Sequence, residues 1–157
     1  MKKIISITIL CFSLSIISET AYAQNDGLGL GAMINGPTGI SYKAWFNDDM
    51  AIAGGLTFNI GDISSFYMHS DFIVHGDRDG SFDLESGIMR LYYGFGARLD
   101  YNDITNDTEV GIRFPLGTNY DFEDVPADLF FELAPTILIV DFNFGLNGAL
   151  GFRYYLN

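Results

Sequence analysis

The sequence predicts an all-β protein, an eight-stranded antiparallel up-and-down transmembrane β-barrel, from three observations. First, apolar residues alternate with small or polar residues along eight segments, as they do on the two faces of a strand. Second, the polar faces carry glycine, alanine and serine, whereas a solvated face usually carries many lysines and glutamates. Third, no later segment reaches the ~18 uncharged apolar residues of a transmembrane helix, so a membrane location requires strands.

The N-terminus has the features of a cleaved secretory signal peptide. Lys2-Lys3 forms a positive n-region, residues 4–17 form an apolar h-region, and Ala21-Tyr22-Ala23 fits a small-x-small cleavage site. The h-region is short for a membrane span, which needs ~20 apolar residues. We therefore expect residues 1–23 to be removed during export, and residues 24–157 to form one barrel domain.

Composition excludes several function classes. The only cysteine, Cys11, lies in the signal peptide, so disulfides, thiolate metal sites and a cysteine nucleophile are excluded from the mature chain. Without Lys2, Lys3 and Glu19, the 8 basic and 20 acidic residues become 6 and 19, a net charge near −13. This balance argues against binding to nucleic acids or to anionic lipid surfaces. The high aromatic content argues against disorder.

Turn-forming residues separate the eight alternating segments. The predicted strands are residues 28–34, 38–46, 50–60, 65–75, 89–99, 109–120, 128–139 and 141–157. Tight turns join the first four, at Asn35-Gly36-Pro37, Asn47-Asp48-Asp49 and Gly61-Asp62. The third strand alternates most clearly: its apolar face is Met50, Ile52, Leu56, Phe58 and Ile60.

Longer connections follow in the second half of the chain. Residues 76–87 and 121–127 are acidic, and residues 101–108 form a polar loop. The last predicted strand is long, because soluble-protein strands usually run ~5–6 residues. Its even positions are almost wholly apolar and its odd positions small or polar, so it separates two different environments. This pattern is typical of a strand that closes a membrane barrel.

Charged residues concentrate on the polar strand faces. An unpaired buried charge is very costly, so a narrow lumen must pair its cations with carboxylates, and arginine suits such pairs better than lysine. We predict a lumen charge network of Lys43, His69, Asp71, Arg90, Arg98, Arg113, Glu132 and Arg153. The sixth basic residue of the mature chain, Arg78, lies in a predicted loop.

Aromatic residues recur near the strand ends. They are Phe46, Phe58, Phe66, Tyr120, Phe142 and Tyr154. Aromatic girdles at both membrane interfaces produce this distribution. The alternative is a soluble periplasmic or secreted lipocalin-like barrel that buries its apolar face and binds a small hydrophobic ligand. That alternative explains the aromatic residues as core, but it does not explain a glycine-rich, lysine-poor second face.

Candidate catalytic and metal-binding patterns are weak. His69 and Asp71 lie two residues apart on one strand face, but no motif places a serine with them, as a hydrolase triad requires. Asp77-Arg78-Asp79-Gly80 and Asp83 lack the EF-hand spacing. Glycine pairs such as Gly94-x-Gly96 precede no helix, so they are not nucleotide motifs. We expect no catalytic, cofactor-binding or metal-binding residues.

Several motifs resemble those of a family of small bacterial outer-membrane β-barrel proteins of uncharacterised function. The motifs are residues 36–43 (GPTGISYK), 91–98 (LYYGFGAR), 111–117 (GIRFPLG), 131–135 (FELAP) and 146–155 (LNGALGFRYY). Their order covers nearly the whole mature chain. The resemblance implies an eight-stranded barrel of the OmpA and OmpX kind, and it implies no known activity. The chain departs from the aromatic terminus usual in such barrels, because it ends on Asn157.

These observations together predict a monomeric outer-membrane barrel of a Gram-negative-type cell envelope. Its side chains should nearly fill the lumen, so we expect no wide pore. We expect a structural or surface-interaction role, with outer-membrane lipid and the barrel-assembly machinery as partners and a surface ligand of unknown identity. We expect no nucleic-acid partner. A lipid-modifying outer-membrane enzyme and the lipocalin-like barrel are the alternatives.

Overall fold

The computed structural model describes residues 27–34, 38–59, 65–76, 81–102, 107–140 and 142–156. The predicted signal peptide, the turn at 35–37, the acidic run at 77–80 and Asn157 lie outside these residues. Among the residues described, no helix is long and apolar enough to cross a membrane.

The described chain forms ten β-strands, which alternate as the sequence predicts. They are β1 (Leu28–Ile34), β2 (Gly39–Trp45), β3 (Met50–Asn59), β4 (Ser65–His75), β5 (Phe82–Leu84), β6 (Gly87–Asn102), β7 (Asp107–Arg113), β8 (Leu116–Phe122), β9 (Ala127–Leu138) and β10 (Phe144–Leu156).

The strands close into a ring of eight antiparallel positions. From β1 to β4 each strand pairs with the next, β4 pairs with β6, β9 pairs with β10, and β10 pairs with β1; β5 pairs only with β6, at one end. Both β7 and β8 lie between β6 and β9, so together they form one wall strand. The predicted all-β, eight-stranded, up-and-down antiparallel barrel is confirmed.

The wall strand of β7 and β8 is interrupted at Phe114 and Pro115. Proline has no N–H to donate, so the ladder loses a hydrogen bond at Pro115 and another at Pro135, which is opposite Phe114. The neighbouring bonds persist: Gly94 N–H donates to Pro115 O and Phe114 N–H donates to Pro135 O, both at 2.9 Å. The predicted single strand 109–120 is therefore two strands in one continuous register.

The strands are strongly staggered around the ring. Successive partners, starting on β10, are Tyr155, Gly29, Lys43, Ala53, Asp71, Gly96, Arg113, Thr136 and Gly145. The path returns to β10 ten residues from its start, which gives a shear of ten for eight strands. Such a barrel tilts its strands by about 40° and leaves an interior that side chains fill.

We call the two ends of the barrel the base and the mouth. The base has the start of β1, the end of β10 and the strand ends that flank the connections 46–49, 76–86 and 123–126, and the mouth has the opposite strand ends. The described parts of the two acidic segments are thus at the same end as the start of β1 and the end of β10. Outer-membrane barrels usually have their short turns on that side, the periplasmic one.

Three predicted boundaries are wrong. Residues 101–108 are not all loop, because β6 runs to Asn102 and β7 begins at Asp107. Residues 76–87 are not all loop, because Phe82–Leu84 pairs with the start of β6 and extends the wall past the ring. The last strand has 13 residues and begins at Phe144, not at residue 141. A turn precedes it: Leu138 N–H donates to Asn143 O at 2.8 Å, and Phe142 adopts a left-handed backbone with φ of 46°.

A soluble barrel turns the apolar face of its wall inward, whereas this barrel turns that face outward. On β9, Leu129, Phe131 and Leu133 are exposed, whereas Asp128 and Glu132 are buried. The outward apolar stripe continues to Ile139 and, at about 3.3 Å per residue and a tilt of about 40°, is about 25 Å tall. Charged and polar side chains therefore line the interior together with buried apolar ones such as Met33, Ile73 and Phe130, and apolar side chains cover the outside.

Candidate functional site

A cluster of buried charges fills the lumen near the base. We call Lys43, His75, Asp128, Arg153 and Tyr155 the base cluster. The Asp128 carboxylate accepts from Arg153 Nε at 2.9 Å and Nη2 at 3.1 Å, from the Tyr155 hydroxyl at 2.8 Å and from Lys43 Nζ at 3.5 Å. Asp128, at the start of β9, is fully buried. One carboxylate thus bonds to cations from β2 and β10.

His75 completes the base cluster as a neutral imidazole. Its Nδ1 lies 3.2 Å from the Asp49 carbonyl, which can only accept, so Nδ1 carries the proton. Its Nε2 then accepts from Lys43 Nζ, 3.1 Å away. Lys43 Nζ also lies 3.9 Å from the centroid of the Trp45 ring, a cation–π contact. The single lysine of the described lumen is therefore held on three sides.

A second ion pair lies beside the base cluster. Arg90 Nη2 donates to Asp121 Oδ2 at 3.0 Å, and Asn119 Nδ2 donates to the other oxygen of Asp121 at 2.7 Å. Arg90 also donates to the Asp48 carbonyl at 2.9 Å, which ties β6 to the turn between β2 and β3. This pair closes the side of the base that the base cluster does not reach.

The central cluster lies at mid-height and consists of Tyr67, Asp71, Tyr92, Arg113 and Glu132. Arg113 Nε lies 3.1 Å from both oxygens of Asp71, and its Nη2 donates to Glu132 Oε1 at 2.5 Å. Its Nη1 donates to the Tyr67 hydroxyl at 2.8 Å, and the Tyr92 hydroxyl donates to Glu132 Oε2 at 3.0 Å. The guanidinium thus joins β4, β7 and β9 across the lumen.

His69 stands next to the central cluster. His69, Asp71 and Glu132 have candidate metal-ligand atoms within 4.8 Å of one another. Arg113 already supplies a cation to both carboxylates, so a metal ion bound there would compete with its guanidinium. A catalytic triad is also disfavoured, because Asp71 lies 3.8 Å from His69 Nε2 and bonds to Arg113 instead of orienting the imidazole.

The mouth cluster consists of Arg98, Glu109, Thr136 and Asn147. Arg98 Nη2 donates to Glu109 Oε2 at 2.5 Å, and its Nη1 donates to Asn147 Oδ1 at 3.2 Å. The Thr136 hydroxyl lies 3.4 Å from the same Asn147 oxygen. The Glu109 side chain is 44% exposed, whereas the carboxylate partners of the four other cations are at most 9% exposed.

The structure places all the predicted network residues inside the ring, in three levels. Each of the five cations of the described lumen has a carboxylate partner, and the five carboxylates are Asp71, Glu109, Asp121, Asp128 and Glu132. Arg153 and Lys43 meet at the base, and Arg113 meets Asp71 and Glu132 at the centre. Arg98 is separate, at the mouth.

Sequence reasoning missed several members of the network. Asp128 and Asp121 were assigned to a strand start and a loop, and no role was predicted for Tyr67, Tyr92 or Tyr155. The signal was present for the acids: Asp128 has the same parity as Glu132, and Asp121 has the same parity as Arg113, so both point inward. Extending the alternation to the strand ends places both aspartates in the lumen.

The architecture defines a class, the small eight-stranded up-and-down barrel with a polar lumen. The fold is similar to that in the crystal structure of the N-terminal β-barrel domain of Pseudomonas aeruginosa OprF, with a TM-score of 0.51 and 12% sequence identity. The match covers 83% of this chain and 98% of that domain. At this identity the likeness shows the fold alone. No protein-family model and no curated protein matches the chain.

Proposed function

We propose that the protein is an outer-membrane β-barrel that spans the membrane with its strands. The observation that carries the proposal is the reversed distribution of polarity: apolar side chains cover the outside, while five cations and their carboxylates fill the inside. The apolar stripe on β9 is about 25 Å tall, the height of the apolar band of outer-membrane barrels. The similarity to the OprF barrel domain supports the barrel fold on which the proposal rests.

Fractionation tests this location. We expect the protein to remain in the outer-membrane fraction, to require detergent for extraction, and to migrate differently on gels before and after boiling. A soluble lipocalin-like barrel would instead need an apolar interior to hold its ligand. Recovery of the folded protein in a detergent-free periplasmic extract would contradict the proposal and favour that alternative.

We further propose that the charge network is a stabilising plug, so that the barrel has a structural or surface-interaction role without a wide pore. Glu132 is the most direct test, because it accepts from both Arg113 and Tyr92. Glu132→Gln removes the charge but keeps the shape, and should lower the free energy of unfolding by about 1–3 kcal/mol. Glu85→Gln, at an exposed position, is the matched control.

Urea unfolding of the refolded barrel measures this difference. Equal unfolding of Glu132→Gln, Glu85→Gln and the parent protein would refute the plug.

We propose two partners for this barrel: outer-membrane lipid, which surrounds the monomer, and the barrel-assembly machinery, which inserts it. The exposed acids Asp83 and Asp124 at the base offer a negative surface to an unidentified basic ligand. No enzymatic activity is proposed, since Asp71 is bonded to Arg113.

A further inference from the structure

The centre of the lumen holds two carboxylates that share one guanidinium. Asp71 and Glu132 both bond to Arg113, and the side chains of all three are buried. Two negative charges and one positive charge therefore meet in a part of the lumen that is shielded from solvent. A buried charge that is not fully balanced is costly, so this cluster offers a favourable position for a further cation.

His69 stands beside these carboxylates as a buried imidazole. The side chain is 6% exposed, and its Nδ1 has no hydrogen-bond partner among the described residues. Its Nε2 lies 3.8 Å from Asp71 Oδ2, which is too far for a hydrogen bond. Buried polar groups usually have a partner, so an imidazole in this state is available as a ligand.

The three side chains are spaced nearly as metal ligands are. One ligand atom from each of His69, Asp71 and Glu132 lies within 4.8 Å of the other two. The ligand atoms of a tetrahedral zinc ion, at bond lengths of ~2.0–2.2 Å, lie roughly 3.4 Å apart. The 3.8 Å between His69 Nε2 and Asp71 Oδ2 is close to that value. Small rotations of the side chains can therefore bring all three ligands onto one ion.

The neighbouring strands position the two ligands that lie on β4. His69 and Asp71 are two residues apart on the inner face of that strand, and each is opposite a glycine, Gly55 on β3 and Gly96 on β6. A Cβ at Gly55 would lie 2.8 Å from His69 Cε1, and a Cβ at Gly96 would collide with Asp71 Oδ1. The glycines therefore make room for both side chains, which lie directly against the neighbouring backbone.

Arg113 competes with a metal ion for these carboxylates, but it does not use up all their capacity. A carboxylate has two oxygens, so each can give one to a metal ion and keep the other for a hydrogen bond. The Tyr92 hydroxyl already holds Glu132 Oε2, while Arg113 holds Oε1. Repulsion between the ion and the guanidinium lowers the metal affinity, so removal of the guanidinium must raise it.

We propose that His69, Asp71 and Glu132 bind one divalent transition-metal ion of the zinc type at the centre of the lumen. One imidazole and two carboxylates are donors that such an ion accepts, whereas Mg²⁺ and Ca²⁺ prefer oxygen donors alone. The bound ion joins β4 to β9 across the lumen. This inference depends on the barrel fold and its lumen, and not on the proposed membrane location.

Zinc is the probe, and it is present while the barrel refolds in detergent micelles, so the result does not depend on a route of entry. Elemental analysis after removal of free metal gives the stoichiometry, and titration against a chelating indicator gives the affinity. We expect one zinc ion per parent barrel and at least about tenfold weaker binding by His69→Gln, because the imidazole ligand is lost. A large excess of Mg²⁺ should not displace the zinc.

The other histidine of the chain, His75, is the matched control. It belongs to the base cluster, where it bonds to Lys43 and to the Asp49 carbonyl. His75→Gln should therefore bind zinc as the parent does. A gel shift on boiling confirms that each variant is folded.

The sign of the effect at Arg113 separates metal binding from a general loss of structure. Arg113→Gln removes the competing positive charge, so we expect it to bind zinc at least about tenfold more tightly than the parent does. Zinc should also raise the urea midpoint of Arg113→Gln more than that of the parent. The double variant His69→Gln/Arg113→Gln should lose both gains. A folding defect would weaken binding, so it cannot produce the gain.

Three results would overturn the proposal: no zinc retained by the parent, equal binding by the parent and His69→Gln, or displacement of zinc by Mg²⁺. Equal binding would mean that zinc sits on exposed acidic side chains. Since His69→Gln removes no described hydrogen bond, its comparison with His75→Gln decides the question even where Arg113→Gln does not fold. The membrane location is read separately from fractionation, so a barrel that remains in the outer-membrane fraction without binding zinc refutes this inference alone.

Discussion

The base and the mouth of the lumen contain the same chemistry, an arginine on a carboxylate, in opposite surroundings. At the base, Asp128 is fully buried and accepts from Arg153, Lys43 and Tyr155. At the mouth, Glu109 is 44% exposed and accepts from Arg98. Loss of the Asp128 carboxylate would leave two cations buried, whereas the Glu109 carboxylate is partly solvated.

Strand length produces this difference. At the base, the wall is continuous from β10 through β1 to β2, because Leu28 pairs with both Leu156 and Ala44. At the mouth, β1 and β2 end at Ile34 and Gly39, while β10 continues to Phe144. The described part of the first hairpin thus reaches less far toward the mouth than β10 does.

The largest expected effect is at the base. Asp128→Asn leaves Lys43 and Arg153 buried without their carboxylate, and breaking a buried pair in this way costs about 3–5 kcal/mol. Urea unfolding can be followed by the fluorescence of the single tryptophan, Trp45, which contacts Lys43. Asp83→Asn, an exposed aspartate on β5, is the matched control and should unfold like the parent.

Equal stability of Asp128→Asn and Asp83→Asn would show that the base cluster does not hold the barrel closed. The buried ion pairs of the base would then contribute no more to the free energy of unfolding than exposed charges do, even though the geometry of base and mouth differs.

The lower lumen and the mouth also differ in how tightly their side chains pack. Gly117→Ala introduces a Cβ 2.6 Å from the Phe131 carbonyl oxygen and against the Tyr92 ring, so we expect a loss of about 1–3 kcal/mol from overpacking. Gly145→Ala, in the open mouth, should change the free energy of unfolding by less than about 0.5 kcal/mol. Both are measured in the same urea titration. A loss at Gly145 as large as that at Gly117 would mean that the mouth is filled.

The smallest effect is expected at the rim of the mouth. Glu109→Gln removes a carboxylate whose side chain is 44% exposed, and ion pairs with such exposed partners contribute less than about 1 kcal/mol to stability. We therefore expect unfolding close to that of the parent, at low and at high salt. A loss comparable to that of Asp128→Asn would show that the mouth pair is structural.

Much of the fold could be predicted from alternation. A period of two assigns each residue to a face without any knowledge of its neighbours, so the eight ring positions and the shared polar face of Lys43 and Arg113 follow from local sequence. The glycine-rich, lysine-poor composition of that face indicates that it points inward. The features that depend on a local exception were not predicted. The strand β5, the interruption at Pro115 and the turn before Phe144 each require a hydrogen-bond pattern that hydropathy does not encode.

The pairing inside the lumen could not be predicted from alternation. Parity places Arg113, Asp71 and Glu132 on inner faces, but their contact depends on the shear of ten, which is a property of the whole ring. The choice of Asp128 as the partner of Lys43 and Arg153 has the same origin. The face of the strand on which a residue lies depends on local sequence, whereas its height along the barrel axis depends on the register of the whole ring.

The central claim is that the apolar face meets lipid and the polar face fills the lumen. Cys11 is the only cysteine, so a chain starting at residue 24 accepts single nitroxide labels without background. We would label Phe131→Cys and Leu133→Cys on the outer face of β9, and Ala134→Cys on the inner face, in lipid vesicles. Electron paramagnetic resonance then measures collisions of each label with oxygen and with a water-soluble nickel chelate.

The account predicts frequent oxygen collisions and few nickel collisions at Phe131→Cys and Leu133→Cys, and an immobile label that neither reagent reaches at Ala134→Cys. Nickel collisions at the two outer positions, or no alternation between the outer positions and the inner one, would contradict it.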